Sequence, residues 1–199
     1  MRLKKIPCIK SSDMYNFLLP ESKPTVQEKY NFNWEKIWPR ITFKYIKSNE
    51  REVIFKFLHG ILPTKSRVYQ MKQSNSPLCP LCNVIEDNSH MFLKCRKVQG
   101  ILEYFKIVLR NTCNLDNVSI EKILYLDIKL KTKKQMNTVI VMSVHYISTV
   151  WYNRCRNFQI DPILLKANII NHQRLLSLIL KDRMKLQFTE MYCNINTWL

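Results

Sequence analysis

The chain is 199 residues long, 46% hydrophobic, with 32 Lys+Arg against 15 Asp+Glu, a net charge of +17 and a pI near 9.7. That is enough apolar material for a real core in one or two domains, and it excludes a disordered acidic chain. The charge points to a polyanionic partner, nucleic acid before anionic membrane, against the alternative of a generally basic surface. Seven Cys is an odd number and Met1-Arg2-Leu3-Lys4-Lys5 has no apolar stretch after it. The expectation is therefore a non-secreted, intracellular protein of the reducing cytosol or nucleus.

Residues 1–33 are polar and rich in Pro and Ser, a linker-like segment in which Met14–Leu19 has the pattern of a short helix or docking stretch. From Trp34 the pattern turns periodic. Trp34, Ile37, Trp38, Ile41, Tyr45 and Ile46 recur at helical spacing, and Pro39 must start or break that helix. Asn49–His59 predicts a second helix, with Ser48 as N-cap, Glu50 and Glu52 in the first turn and Gly60 as C-cap. His59 beside that end reads as a cap or core residue. Thr64 can cap a third helix running to Lys72, which carries Lys65, Arg67 and Lys72.

Ser76 to Cys95 then holds Cys79-x2-Cys82-x7-His90-x4-Cys95, four soft ligands within 17 residues. Structural Zn²⁺ takes four tetrahedral N/S ligands, and a Cys-x2-Cys pair supplies two of them from one tight turn, which Pro80 favours. His90 and Cys95 are five apart, a separation that one helical turn or a short loop closes. The pattern predicts one structural Zn²⁺ held by Cys79, Cys82, His90 and Cys95. With four protein ligands such a site is closed, which argues against metal catalysis. Glu86 is placed to orient the segment or to accept an N–H from His90; the alternative for Glu86 and Asp87 is plain surface charge. Lys94, Arg96 and Lys97, with Lys65, Arg67 and Lys72, are candidate phosphate contacts. Phe92 can stack on a base or pack beneath the zinc loop; packing is favoured.

The stretch SPLCPLCNVIEDNSHMFLKC resembles the zinc-binding segment downstream of the reverse transcriptase domain in non-LTR retrotransposons. The shared features are Cys79-Pro80-Leu81-Cys82, Glu86 four before His90, Phe92-Leu93 and Cys95. FKFLHGILPTKSRV (55–68) and TVWYNRCR (149–156) are similar to flanking motifs of that family, although Phe55 and Phe57 stand where the family often has Trp. The resemblance spans about residues 34–160. It implies a non-catalytic module from a transposable element that helps hold template RNA or target DNA during target-primed reverse transcription.

Beyond Cys95 a helix is expected through Arg110, with Ile101, Leu102, Phe105, Val108 and Leu109 on its buried side, then a loop over 111–117. Ser119 caps a short helix through Tyr125, and Lys129–Lys134 is a basic linker or a phosphate contact. A long helix from about Lys134 to Phe158 is apolar nearly all round, as central helices are. Gln135 to Asn153 lacks charge over 19 residues, yet its eight polar side chains favour burial in protein over a membrane. His145 and Cys155 there read as core rather than a nucleophile pair. Asp161-Pro162 caps a final helix whose Leu175–Leu180 stretch is a candidate protein-partner face. No polymerase Asp pair, phosphate loop or carboxylate cluster is present, so no small-molecule substrate is expected and the chain reads as no enzyme. The expected fold is all-α: an irregular multi-helix bundle with a CCHC zinc insert between helices. Residues 1–33 form its linker, 34–111 a zinc-binding helical domain (zinc segment 76–97), and 112–199 a C-terminal region whose two long helices pack on it. The alternative function is a structural or protein-interaction domain, a transposon relic or host-adopted fragment in which zinc only braces the bundle.

Overall fold

Local capping chemistry sets most of the described helix starts. The computed structural model describes residues 31–43, 45–115, 118–156 and 159–179. The expectations for residues 1–30 and for Leu180 onward lie outside the described residues. Helix α1 (Trp34–Ile41) begins where the Asn33 side chain accepts the Lys36 N–H at 3.3 Å. Pro39 sits inside its last turn, and the helix ends two residues later, so Tyr45 and Ile46 are buried from a turn instead of extending the helix. Helix α2 (Ser48–Leu58) has Lys47, not Ser48, at its N-cap, and the Lys47 N–H donates to Glu50 at 3.3 Å. Its end is closed by Gly60 at φ 65°, with the Gly60 and Ile61 N–H groups donating to the Phe57 and Lys56 carbonyls. That paired closure needs a left-handed residue, which glycine adopts without steric cost.

Thr64 caps α3 (Lys65–Gln70), accepting the Arg67 N–H at 3.4 Å. The helix stops short of Lys72, which takes the left-handed position of the closing turn at φ 57°. After the Cys-rich segment come a π-type turn (His90–Lys94), a 3₁₀ turn (Arg96–Val98) and α4 (Gln99–Cys113), which runs into the expected loop before Asn114 ends it at φ 53°. Helix α5 (Ile120–Leu124) follows Ser119, whose side chain makes no capping bond. Helix α6 (Lys133–Cys155) starts at Thr132, whose hydroxyl accepts the Gln135 N–H at 3.1 Å. Helix α7 (Pro162–Ile179) starts where Asp161 accepts the Ile163 N–H at 2.8 Å, with Pro162 at the first position.

The fold is all-α: among the described residues there is no strand, only one isolated antiparallel bridge between Leu78 and Ile85. Helix α6 is the axis. It packs against α2, α4, α5 and α7, and every residue from Thr138 to Val150 is buried. An apolar helix surrounded on all sides cannot show a one-sided stripe, which is why its sequence looks featureless. No described helix is long and apolar enough to cross a membrane. One cluster of buried side chains runs from Ile37 through Phe57, Phe92, Phe105 and Tyr146 to Ile169. Trp34 and Trp38 are half-buried against it and stack at 5.5 Å, while His59, the C-cap of α2, stacks on Trp38 at 4.7 Å.

Two contacts tie the helical body to the Cys-rich segment. Phe92 is fully buried and meets Phe57 edge-on at 5.0 Å, so it is a packed hydrophobe and offers no face for stacking on a base. The Tyr146 hydroxyl donates to the Phe92 carbonyl at 2.6 Å, in a fully buried position. Replacing Tyr146 by Phe leaves that carbonyl without its partner. Denaturant titration of Tyr146→Phe should show a loss of about 1–3 kcal/mol, with helicity unchanged at low denaturant.

Candidate metal centre

The Cys-rich segment folds as a knuckle followed by a wide helical turn. Pro80, Leu81 and Cys82 turn the chain so that the Asn83 N–H donates to the Cys79 carbonyl at 2.9 Å, and Asn83 adopts φ 55°. The Cys79 N–H donates to Val84 and the Glu86 N–H to Pro77, at 2.8 and 3.0 Å, closing a miniature hairpin around the Leu78–Ile85 bridge. Asp87 then caps the next turn, its side chain accepting the His90 N–H at 2.7 Å. The five-residue separation of His90 and Cys95 is closed by a π-type bond, Cys95 N–H to His90 carbonyl at 2.8 Å. A turn of that width returns the fifth residue to the side of the first, so both ligand side chains face the knuckle.

The four side chains converge. One ligand atom from each of Cys79, Cys82, His90 and Cys95 lies within 4.8 Å of all the others. The Cys79 and Cys95 sulfurs are 3.9 Å apart, as are those of Cys82 and Cys95. Two sulfurs each bound at about 2.3 Å to a tetrahedral centre would be about 3.8 Å apart, so this spacing suits one ion. His90 is buried and its Nε2 has no hydrogen-bond partner, an orphan that a metal bond would satisfy. The donor set is soft, and four ligands complete a tetrahedron. The cluster can hold one metal ion and leaves no position for substrate.

The local fields of the thiols differ. Burial pushes the Cys95 thiol up to about 12, and the neighbouring Cys79 adds to that rise. The Arg96 backbone N–H, 3.5 Å from the Cys82 sulfur, holds the Cys82 thiol below its ordinary value. Metal capture must therefore expel the Cys95 proton, since the thiolate is the ligand.

Glu86 does not turn towards His90. It is 3% exposed, and its two oxygens accept from the Lys65 backbone N–H at 3.3 Å and from the Arg154 guanidinium on α6. The Glu86 carbonyl also accepts the Ser66 N–H at 3.2 Å. The carboxylate thus fastens the knuckle to the start of α3 and to α6. The partner of Arg154 lies 68 residues earlier in the chain, beyond the reach of spacing arguments.

Lys65, Lys72, Lys94 and Arg96 are exposed, while Arg67 and Lys97 are half-buried. The Arg67 guanidinium donates to the Gly60 carbonyl at 3.5 Å, so part of it closes the end of α2. None of the six forms an ion pair among the described residues. A second cluster went unread in the sequence: Glu50, His145 and His172, all buried with ligand-capable atoms within 4.8 Å. His145 was expected in the core and is there; Cys155, read the same way, is exposed.

Residues 10–101 match the family described as zinc-binding in reverse transcriptase. The match covers just under half of the chain, includes all four candidate ligands, and leaves the 149–156 flank outside. The resemblance carried by the Cys-rich segment agrees with that match over residues 10–101. No curated protein and no solved structure matches the chain.

Two outcomes follow from this geometry. Arg154→Leu strands a buried carboxylate and should cost about 3 kcal/mol, and a double-mutant cycle with Glu86→Gln should show coupling between the two sites. Competition titrations with a chromophoric chelator should give weaker Zn²⁺ affinity at pH 6 than at pH 8, because the raised Cys95 thiol must lose its proton to bind.

Proposed function

We propose that Cys79, Cys82, His90 and Cys95 hold one structural Zn²⁺ and that the domain so braced is a non-catalytic nucleic-acid-binding module. In this reading it holds RNA or target DNA through backbone electrostatics, as the C-terminal part of a non-LTR retrotransposon reverse transcriptase protein would. The observation that carries the reading is the closed Cys3His cluster flanked by exposed cations that form no ion pair among the described residues, within a segment that matches the reverse transcriptase zinc-binding family. Zinc supplies local folding energy here. Met91, Phe92 and Glu86 are buried in the segment along with three of the four ligands, so zinc would add its folding energy to packing already there.

Lys94, Arg96 and Lys97 leave the last ligand at once, so the turn that places Cys95 also places them. Lys65 is fixed beside the knuckle by its N–H bond to Glu86. Such cations contribute affinity and salt sensitivity without sequence reading. A protein-interaction role is favoured by one different observation: Leu175 and Leu178 on α7 are exposed, Leu178 at 81%. Oligomers by size measurement with no nucleic-acid retention would select that second reading.

The test is a salt series of binding to a labelled single strand and a duplex. Log affinity should fall linearly with log salt, and Lys94→Gln/Arg96→Gln/Lys97→Gln should flatten the slope by about 2 units for a single strand. Zinc content should stay at one per chain in that variant and vanish in Cys79→Ser/Cys82→Ser. A slope unchanged by the triple substitution would remove these residues from the interface.

A further inference from the structure

On the side of α6 facing α2 and α7, the molecule carries a cavity of about 440 Å³, within the size range of small-ligand pockets. Lys47 and Glu50 line it from α2 and the turn before it, Ser148, Tyr152 and Asn153 from α6, Arg156 from just past its end, and Leu164 and Asn168 from α7. None of these residues belongs to the Cys3His cluster.

Three features indicate what the cavity accepts. First, the Ser148 hydroxyl is buried in the wall, the residue 5% exposed, and has no hydrogen-bond partner. A hydroxyl left so costs about 1–3 kcal/mol, so the wall is complete only with a polar occupant. Second, Lys47 and Arg156 form no ion pair among the described residues. Glu50, the one acid in the lining, already faces His145 Nδ1 at 3.2 Å. Third, the Asn153 side-chain nitrogen donates to the Thr149 carbonyl at 2.8 Å, which leaves the Asn153 carbonyl oxygen to accept. Asn168 meets the Thr149 hydroxyl at 2.8 Å. The cavity therefore offers cations at two points, hydrogen-bond acceptors in its wall, and the Tyr152 ring with Leu164 as apolar surface.

Glu50, His145 and His172 suggest a metal as the other occupant, but their present contacts oppose it. His145 Nε2 is hydrogen-bonded to His172 Nδ1 at 2.7 Å, while Nδ1 lies 3.2 Å from Glu50 without making a hydrogen bond. An ion held by both facing ring nitrogens would have to break the bond between the two histidines.

We propose that this cavity takes one unstacked nucleotide, with its phosphate at Lys47 and Arg156 and its base against Tyr152 and Leu164. The Asn153 carbonyl oxygen, together with the Ser148 hydroxyl, which can also accept, favours a base that bears an exocyclic amino group, as cytosine does, over uracil. The inference deepens the nucleic-acid reading above and rests on it for the source of the nucleotide; a free mononucleotide has the same chemistry.

The experiment uses the full zinc-loaded chain at one fixed salt concentration, titrated with CMP, UMP and inorganic phosphate, and with oligo(C) and oligo(U) 12-mers. CMP should bind more tightly than UMP, and oligo(C) more tightly than oligo(U). Lys47→Gln/Arg156→Gln should weaken oligo(C) by about tenfold. Ser148→Ala should narrow the C-over-U preference, while Lys94→Gln lowers both strands together and leaves the preference intact. If the oligonucleotides bind but the Lys47, Arg156 and Ser148 variants change neither affinity nor preference, the pocket is overturned and the nucleic-acid reading stands. If CMP binds with the same variant pattern while no oligonucleotide does, the pocket stands as a free-nucleotide site and the nucleic-acid reading falls. Inorganic phosphate binding as tightly as CMP overturns the nucleotide assignment. So does a second Zn²⁺ per chain that His172→Gln removes, which would make the Glu50 cluster a metal site.

Discussion

Glu86 is a carboxylate 3% exposed at the point where the knuckle, the start of α3 and the C-terminal half of α6 meet. Removing such a group from water is costly, and only a geometry that supplies a charged partner and backbone donors offsets it. Arg154 and the Lys65 N–H meet that demand together, with the knuckle's own carbonyl fastened to Ser66 beside them. The constraint is strict because it links residues from three separate parts of the chain. A displaced α6 would strand a buried charge, so the helical body and the metal-binding segment hold one mutual position.

The metal cluster and the buried core meet along the same few residues. Phe92, two residues after His90, fills the space against Phe57, and its carbonyl is held by Tyr146. The π-type turn that brings His90 and Cys95 together therefore also drives a ring into the core. A metal closing the Cys3His cluster would hold the turn that positions Phe92, and packing around Phe92 would in turn preorganise the ligands. The outward part of the same turn carries Lys94 and Arg96. The arrangement separates the two jobs of the segment: ligands and Phe92 point inward, cations point to solvent.

Charge of opposite kinds is managed in different ways across the molecule. Among the described residues most Lys and Arg side chains are exposed, whereas the two buried acids are engaged, Glu86 by Arg154 and Glu50 by His145. Burial and the neighbouring His145 lower His172 to about 4, so it remains neutral near neutral pH beside that pair. This leaves the molecule's outward field strongly positive while its interior is balanced, the disposition suited to a polyanion at the surface.

Much of this was legible in the residues themselves. A ligand pattern as dense as Cys79-x2-Cys82-x7-His90-x4-Cys95 depends on local turns, and the chain returns to itself within that stretch by short bonds that spacing can anticipate. Helix ends were legible for the same reason: Gly60, Thr64 and Asp161-Pro162 act within four residues of their own positions. Two boundaries shifted because a residue without a capping signature took the role, Lys47 as the N-cap of α2 and Lys72 in the left-handed position after α3, while α4 ran on to Cys113 before Asn114 closed it. The tertiary structure alone decided which residues meet across long separations. Glu86 finds Arg154, Tyr146 finds the Phe92 carbonyl, and Glu50, His145 and His172 converge from α2, α6 and α7 beside the cavity. Sequence carries the period and caps of each helix because those depend on neighbours in the chain. The pairing of helix faces depends on how the described helices fill one volume around α6, and no local pattern encodes that.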